Sequence, residues 1–376
     1  HDQNQLVPRL GPLCHKCNSL LEWRRDLTIQ TADGSLQTLQ SRLVEAPVAA
    51  TPVWRRTGGL GDTICLAHVA AAYQRRFGAK VQLQVNPVRR ELFENHDSWD
   101  LAPDDAQPTV NFDQELIPFW PGDRTVGMAA KVGLEITELS PPLSIPSAAQ
   151  EWVKERLNGH NRPLLAFAPL AEHQHHARSL SPPQIGEFLA VASSWSTVVL
   201  LGAERLPFED RRWLNLTGET TLPQLAAVLA RAAQVVTVDS GPMHLALWLR
   251  RPTLALFSHI DPRQRLGLAE NFVAIQPFLG CAPCSERYGG EHGCQGGKLR
   301  DFTACIAGYS GTVLSDWARS LRAPLGRQLW LVGASGEKLA EVEWLHYAAS
   351  FVPAMQQEAE RRVATALGPA DKPGKG

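Results

Sequence analysis

The chain has 376 residues, a length that predicts two domains plus additions and is sufficient to bury a large core. Its 37 Lys and Arg residues balance 38 Asp and Glu residues, and the formal charge of −1 argues against a nucleic-acid partner. No stretch approaches the roughly 18 continuous apolar residues of a membrane span, and the first residues lack the apolar core of a signal peptide, so we expect a cytoplasmic protein without a transmembrane segment, with peripheral membrane contact left open.

The sequence of residues 1–50 predicts a small β-rich appendage. The Asp33-Gly34 step lies between two alternating segments, a pattern typical of a β-hairpin. The C-x-x-C pair Cys14 and Cys17 is a weaker metal candidate that His15 or a distant cysteine would have to complete.

Residues 51–150 predict a first Rossmann-like domain. A strand begins at Val53, a glycine-rich turn and a helix ending at Gly78 follow, and KVQLQV forms the next strand. This βαβ unit indicates a parallel sheet covered by helices. The Pro- and Asp-rich stretch from about residue 91 to 147 is predicted to end the domain and form a linker.

The glycine-rich turn is the sequence GGLGD, with Gly58, Gly59 and Gly61 before Asp62. Glycines there allow close approach of a ligand, and the amides that open the next helix form a positive pole. An ionised Asp62 could accept a proton from a substrate hydroxyl, although Asp at a helix start is also a common cap. The spacing differs from G-x-G-x-x-G, which argues against a dinucleotide site.

Residues 151–335 predict a second, larger Rossmann-like domain, because strand and helix patterns alternate regularly from Arg162 onward. The predicted segments are PLLAFAPL, PPQIGEFLAVASSW, TVVLLG, TLPQLAAVLARAA, VVTVDS, GPMHLALWLR and PTLALFS. Residues 336–376 are predicted to hold a C-terminal helix, over 352–367, and a tail.

The block from residue 235 to 257 contains the strongest anion-binding signal. A hydrophobic strand ends in Asp239, Ser240 and Gly241, and Pro242 lies in the first turn of the following helix. Free amides at that end suit a phosphate, with Ser240 and His244 as further donors. The alternative is an ordinary N-cap and a core histidine.

The two blocks together resemble the lipopolysaccharide heptosyltransferases. The first carries Arg56-x-Gly58-x-x-Gly61-Asp62, and the second carries D-[ST]-G-x-x-H-L-A over 239–246, followed by Pro252-Thr253. Two further positions match, namely Arg178 in HARSLSPPQ, where the family commonly has Lys, and Leu216-Thr217-Gly218. The resemblance covers roughly residues 53 to 310.

This resemblance implies a GT-B fold, in which two facing Rossmann-like domains enclose the active site. It implies an inverting glycosyltransferase in which Asp62 deprotonates the acceptor hydroxyl and no divalent metal is needed for catalysis. The donor, a nucleoside-diphosphate sugar with ADP-heptose favoured, would contact Arg178, Gly202, Thr217, Gly218, Asp239, Ser240, Gly241, Pro242, Met243 and His244. The acceptor would be a glycan or, as for relatives that glycosylate bacterial autotransporters, a protein hydroxyl.

Four cysteines in a glycine-rich loop form a candidate metal site: Cys281, Cys284, Cys294 and Cys305. Paired thiolates two residues apart can chelate a tetrahedral ion, so zinc is expected, with iron as the alternative because autotransporter-modifying relatives carry an iron-binding cysteine finger. An odd total of seven cysteines suits a reducing compartment, and reduced thiols without metal are the other interpretation. Cys65 is predicted to be a core residue.

Two other function classes stay open at this point. One is a catalytically inactive scaffold that keeps the fold, the nucleotide-sugar site and the cysteine loop. The other is a nicotinamide-dependent oxidoreductase, suggested by paired Rossmann units alone.

Overall fold

The computed structural model describes residues 28–30, 36–38, 51–113, 123–171, 178–277, 298–299, 302–333 and 337–343. Within these ranges, no helix is both long enough and apolar enough to span a membrane. Two largely parallel sheets organise the described chain, and a cavity lies between them.

The predicted hairpin is present near the start of the chain. Strands β1 (Thr28–Gln30) and β2 (Leu36–Thr38) pair antiparallel, with Thr28 opposite Thr38. The rest of the predicted β-rich appendage, including Cys14 and Cys17, lies outside the described residues.

The first sheet has four parallel strands in the order β5-β4-β3-β6. Its strands are β3 (Val53–Arg56), β4 (Val81–Val85), β5 (Trp99–Leu101) and β6 (Val110–Asn111). Helix α1 (Leu60–Phe77) connects β3 to β4 as predicted, and it ends at Gly78, whose φ of 67° is the left-handed conformation that favours glycine. A 3₁₀ turn (Pro87–Arg89) and the short helix α2 (Arg90–Phe93) follow β4.

Two helices lie within or directly after the stretch that the sequence predicts as the end of the first domain and a linker. These are α3 (Arg124–Lys131) and α4 (Ser147–Arg156). Asp123 caps α3 by accepting hydrogen bonds from the backbone N–H groups of Thr125 and Val126. The described part of this stretch thus contains only short elements, and its role as domain end and linker stays a prediction.

The second sheet has eight strands in the order β16-β15-β12-β11-β10-β7-β8-β9. The strands are β7 (Leu164–Ala168), β8 (Thr197–Leu200), β9 (Trp213–Asn215), β10 (Gln234–Val238), β11 (Thr253–Leu256), β12 (Phe272–Pro277), β15 (Arg327–Val332) and β16 (Lys338–Glu343). All pairings are parallel except that of β16 with β15. Strands β7, β8 and β11 are almost wholly apolar and buried, as expected for strands with both faces covered.

Helices alternate with these strands as the sequence predicts. They are α5 (Pro182–Ala192), α6 (Leu222–Arg231) and α7 (Gly241–Trp248), followed by α8 (Arg263–Leu266) and then α9 (Ala304–Ala307) and α10 (Gly311–Ser320). A small antiparallel pair, β13 (Lys298–Leu299) and β14 (Phe302–Thr303), precedes α9. Residues 338–343 form an edge strand, whereas the predicted C-terminal helix over 352–367 lies outside the described residues.

The two sheet units share a hydrophobic core. One cluster of buried side chains contains Ile64 and Val69 of α1 together with Leu245 and Trp248 of α7. The Trp248 ring packs edge-on against His68, and its indole N–H donates to the carbonyl of Pro141. Helices α1 and α7 therefore form a dry contact that fixes the first sheet unit against the second.

Candidate active site

The strand orders predict where each sheet would bind a ligand. In the first sheet the chain runs outward from β3 through β4 to β5 and returns on the other side of β3 as β6. In the second it runs from β7 through β8 to β9 and returns beside β7 as β10. Such reversals open a crevice at the carboxyl ends of the strands, where open α/β sheets bind ligands.

Both crevices open on the same cavity, which has a volume of about 370 Å³. The first unit contributes Arg56 from the end of β3 and Asp62 from α1, and the second contributes Arg178, which follows β7, and Asp239, which follows β10. The two carboxylates that the sequence singles out thus line one site from opposite sides.

Asp62 is held between two arginines of its own unit. Arg56 Nη2 lies 2.8 Å from Asp62 Oδ2, and Arg124 Nη1 contacts Asp62 Oδ1. Burial by itself would raise the pKa of Asp62, but the charges of Arg124, Arg56 and Arg265 outweigh it and hold the pKa below its usual value. Asp62 is therefore ionised, and no side chain of the described residues caps α1, whose N-cap is Gly59.

Asp239 has a similar arrangement in the second unit. Arg178 Nη1 lies 3.4 Å from Asp239 Oδ2, and Arg265 Nε lies 3.5 Å from Asp239 Oδ1. Burial opposes ionisation of this carboxyl, yet Arg265 and Arg178 lower its pKa to about 2. Nε of Arg178 is buried and lacks a hydrogen-bond partner among the described residues, so this guanidinium keeps bonding capacity for a ligand.

His244 lies between the two carboxylates, on the first turns of α7. Burial lowers its pKa to about 4, against a smaller opposing effect of Asp239. The imidazole is therefore neutral near pH 7 and can offer one N–H donor to an anion. Its ring also touches Gly61 of α1, where a Cβ atom would lie 2.5 Å from His244 Cδ2.

The N-termini of α1 and α7 both face the cavity without a side-chain cap from the described residues. The Ser240 hydroxyl donates instead to the carbonyl of Val238. Of the amides that the sequence argument assigned to phosphate, Pro242 has no N–H and the Met243 N–H donates to the Ser240 carbonyl, which leaves Ser240 and Gly241.

The cavity carries a surplus of positive charge. With the histidines set aside, two aspartates face four arginines in its described lining: Arg56, Arg124, Arg178 and Arg265. Two uncapped helix N-termini add to this field. The arrangement suits a ligand with two negative charges, such as a diphosphate diester.

Several predicted residues lie outside the described lining of the cavity. Met243 is fully buried in the core, and Pro242 lies at the start of α7. Gly58 belongs to the turn before α1, and its carbonyl accepts a hydrogen bond from Arg89.

The predicted base and ribose region forms a separate turn of the second unit. The Thr217 hydroxyl donates to Asn215 Oδ1 and accepts from the Leu206 N–H, so it closes the loop after β8. Gly202 packs on Thr217, and Gly218 has a φ of 72°. The contacts of these three residues are structural, and their role toward the donor stays a prediction.

Sequence reasoning missed three cationic residues of the site. The sequence indicates Arg56 only as part of a motif, and its strand-and-turn signals do not identify Arg124 or Arg265. Arg124 follows the N-cap Asp123 of α3, and Arg265 lies on the four-residue helix α8. The sequence GDR, an Asp cap before an arginine, is the signal that could have identified Arg124.

Three of the four predicted metal ligands, Cys281, Cys284 and Cys294, lie outside the described residues, so the metal site stays a prediction. Cys305 is buried in α9. Where the structure describes the chain, no group of three or more His, Cys, Asp and Glu side chains has the arrangement of a metal site. Cys65 is buried in the core of the first unit, as predicted.

Paired parallel sheets with an arginine-rich cavity between them define a two-unit α/β protein with an anion site. Residues 202–292 match the family model of glycosyltransferase family 9 (heptosyltransferase). Lipooligosaccharide heptosyltransferase 2 of Haemophilus influenzae is 31% identical over 164 residues, 39% of this chain and 47% of the relative. Lipopolysaccharide heptosyltransferase 2 of Escherichia coli is 30% identical over 145 residues, 33% of this chain and 39% of the relative.

The aligned segments thus span less than half of the length of these curated relatives, 47% and 39%. Among solved structures, Escherichia coli ADP-heptose lipopolysaccharide heptosyltransferase II has a TM-score of 0.49 at 15% identity, covering 71% of this chain and 97% of that one. The iron-containing dodecameric glycosyltransferase TibC of enterotoxigenic Escherichia coli has a TM-score of 0.45 at 14% identity, covering 59% and 62%. The resemblance predicted from the sequence is confirmed to this extent: residues 202–292 match the model of glycosyltransferase family 9, and the curated relatives are heptosyltransferases.

Proposed function

We propose that the protein is an inverting GT-B glycosyltransferase that moves a heptose from a nucleoside-diphosphate donor to a hydroxyl of a glycan or a protein. The observation that carries this proposal is the single cavity in which Asp62 of the first unit and the Asp239 to His244 turn of the second face each other. Its surplus of positive charge matches the diphosphate of such a donor. The family match and the names of the curated relatives support heptose as the sugar. ADP-heptose is the donor that the sequence resemblance favours.

The diphosphate would bind to the second unit. Arg178 lies beside the uncapped start of α7, where the Ser240 and Gly241 amides are available, and its Nε is without a partner in the described chain. Arg265 on the other side of Asp239 adds a second positive charge. These groups stabilise the negative charge that develops on the departing diphosphate, so this chain's own donors supply the electrostatic stabilisation.

The chemical step would place the acceptor hydroxyl between Asp62 and the anomeric carbon. A bond forms from the hydroxyl oxygen to that carbon while the bond to the diphosphate oxygen breaks on the opposite face, so the configuration inverts. The hydroxyl proton passes to Asp62. Because Arg124 and Arg56 make Asp62 a weak base, this proton moves late, once bond formation has made the hydroxyl acidic.

A donor screen tests the proposal. Calorimetry with ADP, GDP and UDP should show binding of at least one nucleotide, and product mass spectrometry should show sugar transfer from the matching donor to a glycan or a Ser/Thr peptide. Arg178→Met should weaken nucleotide binding by about tenfold or more, because it removes a charge-assisted contact. Arg212→Met is the matched control, since Arg212 is exposed and pairs with Asp210 away from the cavity.

The outcomes separate the candidate functions. Binding without transfer to any acceptor would indicate the inactive nucleotide-sugar-binding protein. No binding of any of the three nucleotides at millimolar concentration would contradict the proposal.

A further inference from the structure

Asp123 lies where the two sheet units meet, and the mechanism above does not use it. The residue is 8% exposed. Oδ1 accepts from the backbone N–H groups of Thr125, at 2.8 Å, and Val126, at 3.3 Å, and so caps α3 of the first unit. A cap of this kind needs one carboxylate oxygen.

The second carboxylate oxygen of Asp123 accepts a hydrogen bond from the other sheet unit. Asp123 Oδ2 accepts from the Gly267 N–H at 2.8 Å, and Gly267 directly follows α8. A Cβ atom on Gly267 would lie 2.6 Å from Asp123 Cβ, so the contact leaves no room for a side chain. On its other side the Gly267 carbonyl accepts from Arg327 Nη2 at 2.7 Å, which anchors this turn to β15.

Each of the two backbone segments that meet at this contact carries one arginine of the cavity. Arg124, the next residue after Asp123, contacts the Asp62 carboxylate. Arg265, two residues before Gly267, pairs with Asp239. One buried carboxylate therefore joins the backbone segments that place an arginine on each cavity aspartate.

We propose that Asp123 is a positioning residue that holds the backbone at Arg124 and at Gly267 in a fixed relation. It thereby sets the distance between two half-sites of the cavity, which are Asp62 with Arg124 and Asp239 with Arg265. Each half-site keeps its own ion pair without Asp123, so donor binding by the second unit survives. Transfer requires both half-sites at the correct spacing, so turnover falls. The expected fall in turnover rests on the proposed function. The coupling of the two units through Asp123 rests on the hydrogen bonds alone.

Two substitutions change the hydrogen bonds that the two carboxylate oxygens of Asp123 accept. Asp123→Asn keeps one carbonyl oxygen and turns an N–H₂ donor toward either the α3 amides or the Gly267 N–H. Asp123→Ser keeps a good N-cap but is too short to reach Gly267. We expect both variants to lower kcat by about 10- to 100-fold while the donor Kd stays within about threefold.

The control removes a helix cap that has no link to the cavity. Thr221 accepts from the Gln224 N–H at the start of α6, so Thr221→Ala should lower Tm by about 2 °C with unchanged kcat. If a general loss of stability were the reason for the lower kcat of Asp123→Ser, the kcat of Thr221→Ala should fall as well.

Amide hydrogen exchange supplies a readout that does not depend on activity. In Asp123→Ser, exchange of the Gly267 amide should rise by about tenfold while the first-turn amides of α3 keep their protection. Unchanged Gly267 exchange, or a kcat within about threefold of wild type in both Asp123 variants, would overturn the proposal. A wild-type protein that transfers no sugar would instead contradict the proposed function, and the exchange result would still decide whether Asp123 couples the units.

Discussion

Asp62 is the residue whose environment most constrains the chemistry. Its two arginine partners guarantee the anionic form but also reduce its affinity for a proton. A base with this weakness contributes most when the acceptor oxygen is already bonding to the sugar. The position of the carboxylate therefore matters more than its basicity.

Asp62→Asn should lower kcat by about 10²- to 10⁴-fold, the usual contribution of a positioned general base. Donor affinity should stay equal or improve slightly, because the substitution removes a negative charge from a site that binds an anion. Single-turnover product formation and calorimetry measure the two quantities. Asp100→Asn is the control, since that exposed carboxylate of the first unit pairs only with Lys80 among the described residues.

A parallel loss of turnover in Asp100→Asn would point to a general effect of charge. Turnover of Asp62→Asn within about threefold of wild type would remove Asp62 from the catalytic role.

The sequence predicted the aspartates better than it predicted the arginines around them. Asp62 and Asp239 directly follow strand-and-turn signals, so their place at the sheet edge follows from local pattern. Arg124 and Arg265 reach the same cavity from helices α3 and α8, whose positions depend on tertiary contacts such as Asp123 with Gly267. No local pattern encodes that contact.

At the level of elements, α1 and α7 approach each other through their first turns. A Cβ on Gly61 would lie 2.5 Å from His244 Cδ2, and a Cβ on Gly241 would lie 2.8 Å from Leu60 Cβ. These two glycines therefore allow a close crossing of the helices that form both rims of the cavity.

Gly61→Ala should destabilise the protein by about 1–3 kcal/mol through overpacking and should also lower kcat/KM, because the new methyl group displaces His244. Gly186→Ala is the matched control within helix α5, where the nearest atom to the new Cβ, on Phe208, is 3.7 Å away. That control should gain about 0.5–1 kcal/mol from better helix propensity. Urea denaturation and steady-state kinetics measure both effects, and equal stability of the two variants would contradict the close crossing.

The elements themselves were predictable where apolar runs alternate with amphipathic helices, as from β7 to β11. Strands β12 and β15 were not predicted, although FVAIQP and RQLWLV are largely apolar. The parallel pairing of β12 with β15 joins segments about 50 residues apart, a relation that hydrophobic periodicity cannot encode.

At the scale of the whole molecule, two buried histidines lie in the contact between the units. His68 Nδ1 accepts from the Ser140 N–H, and its ring packs against Trp248. Burial lowers the pKa of His68 to about 3 and that of His244 to about 4, both from the ordinary histidine value of about 6.5. Burial also raises the pKa of Asp123, against its hydrogen bonds from Gly267, Thr125 and Val126.

These shifts predict that acid weakens the folded state well above the pH at which the carboxylates titrate. Below pH 6.5 the unfolded chain binds protons at both histidines while the folded chain does not, so the free energy of unfolding falls as the pH falls toward 4. His68 alone should account for a loss of about 2 kcal/mol between pH 8 and pH 5. Asp123 contributes to this pH dependence with the opposite sign, because a raised folded pKa favours the folded state as the pH falls. Asp123 binds one proton, however, whereas the two histidines bind two, so the histidines dominate.

Urea denaturation at pH 8, 6 and 5 measures this dependence. His68→Asn is the informative variant, because its amide oxygen can accept the Ser140 N–H without titrating. It should show a smaller loss between pH 8 and pH 5 than wild type, by about 2 kcal/mol. A pH dependence identical to that of wild type would mean that His68 titrates normally, and therefore that water reaches the contact between α1 and α7.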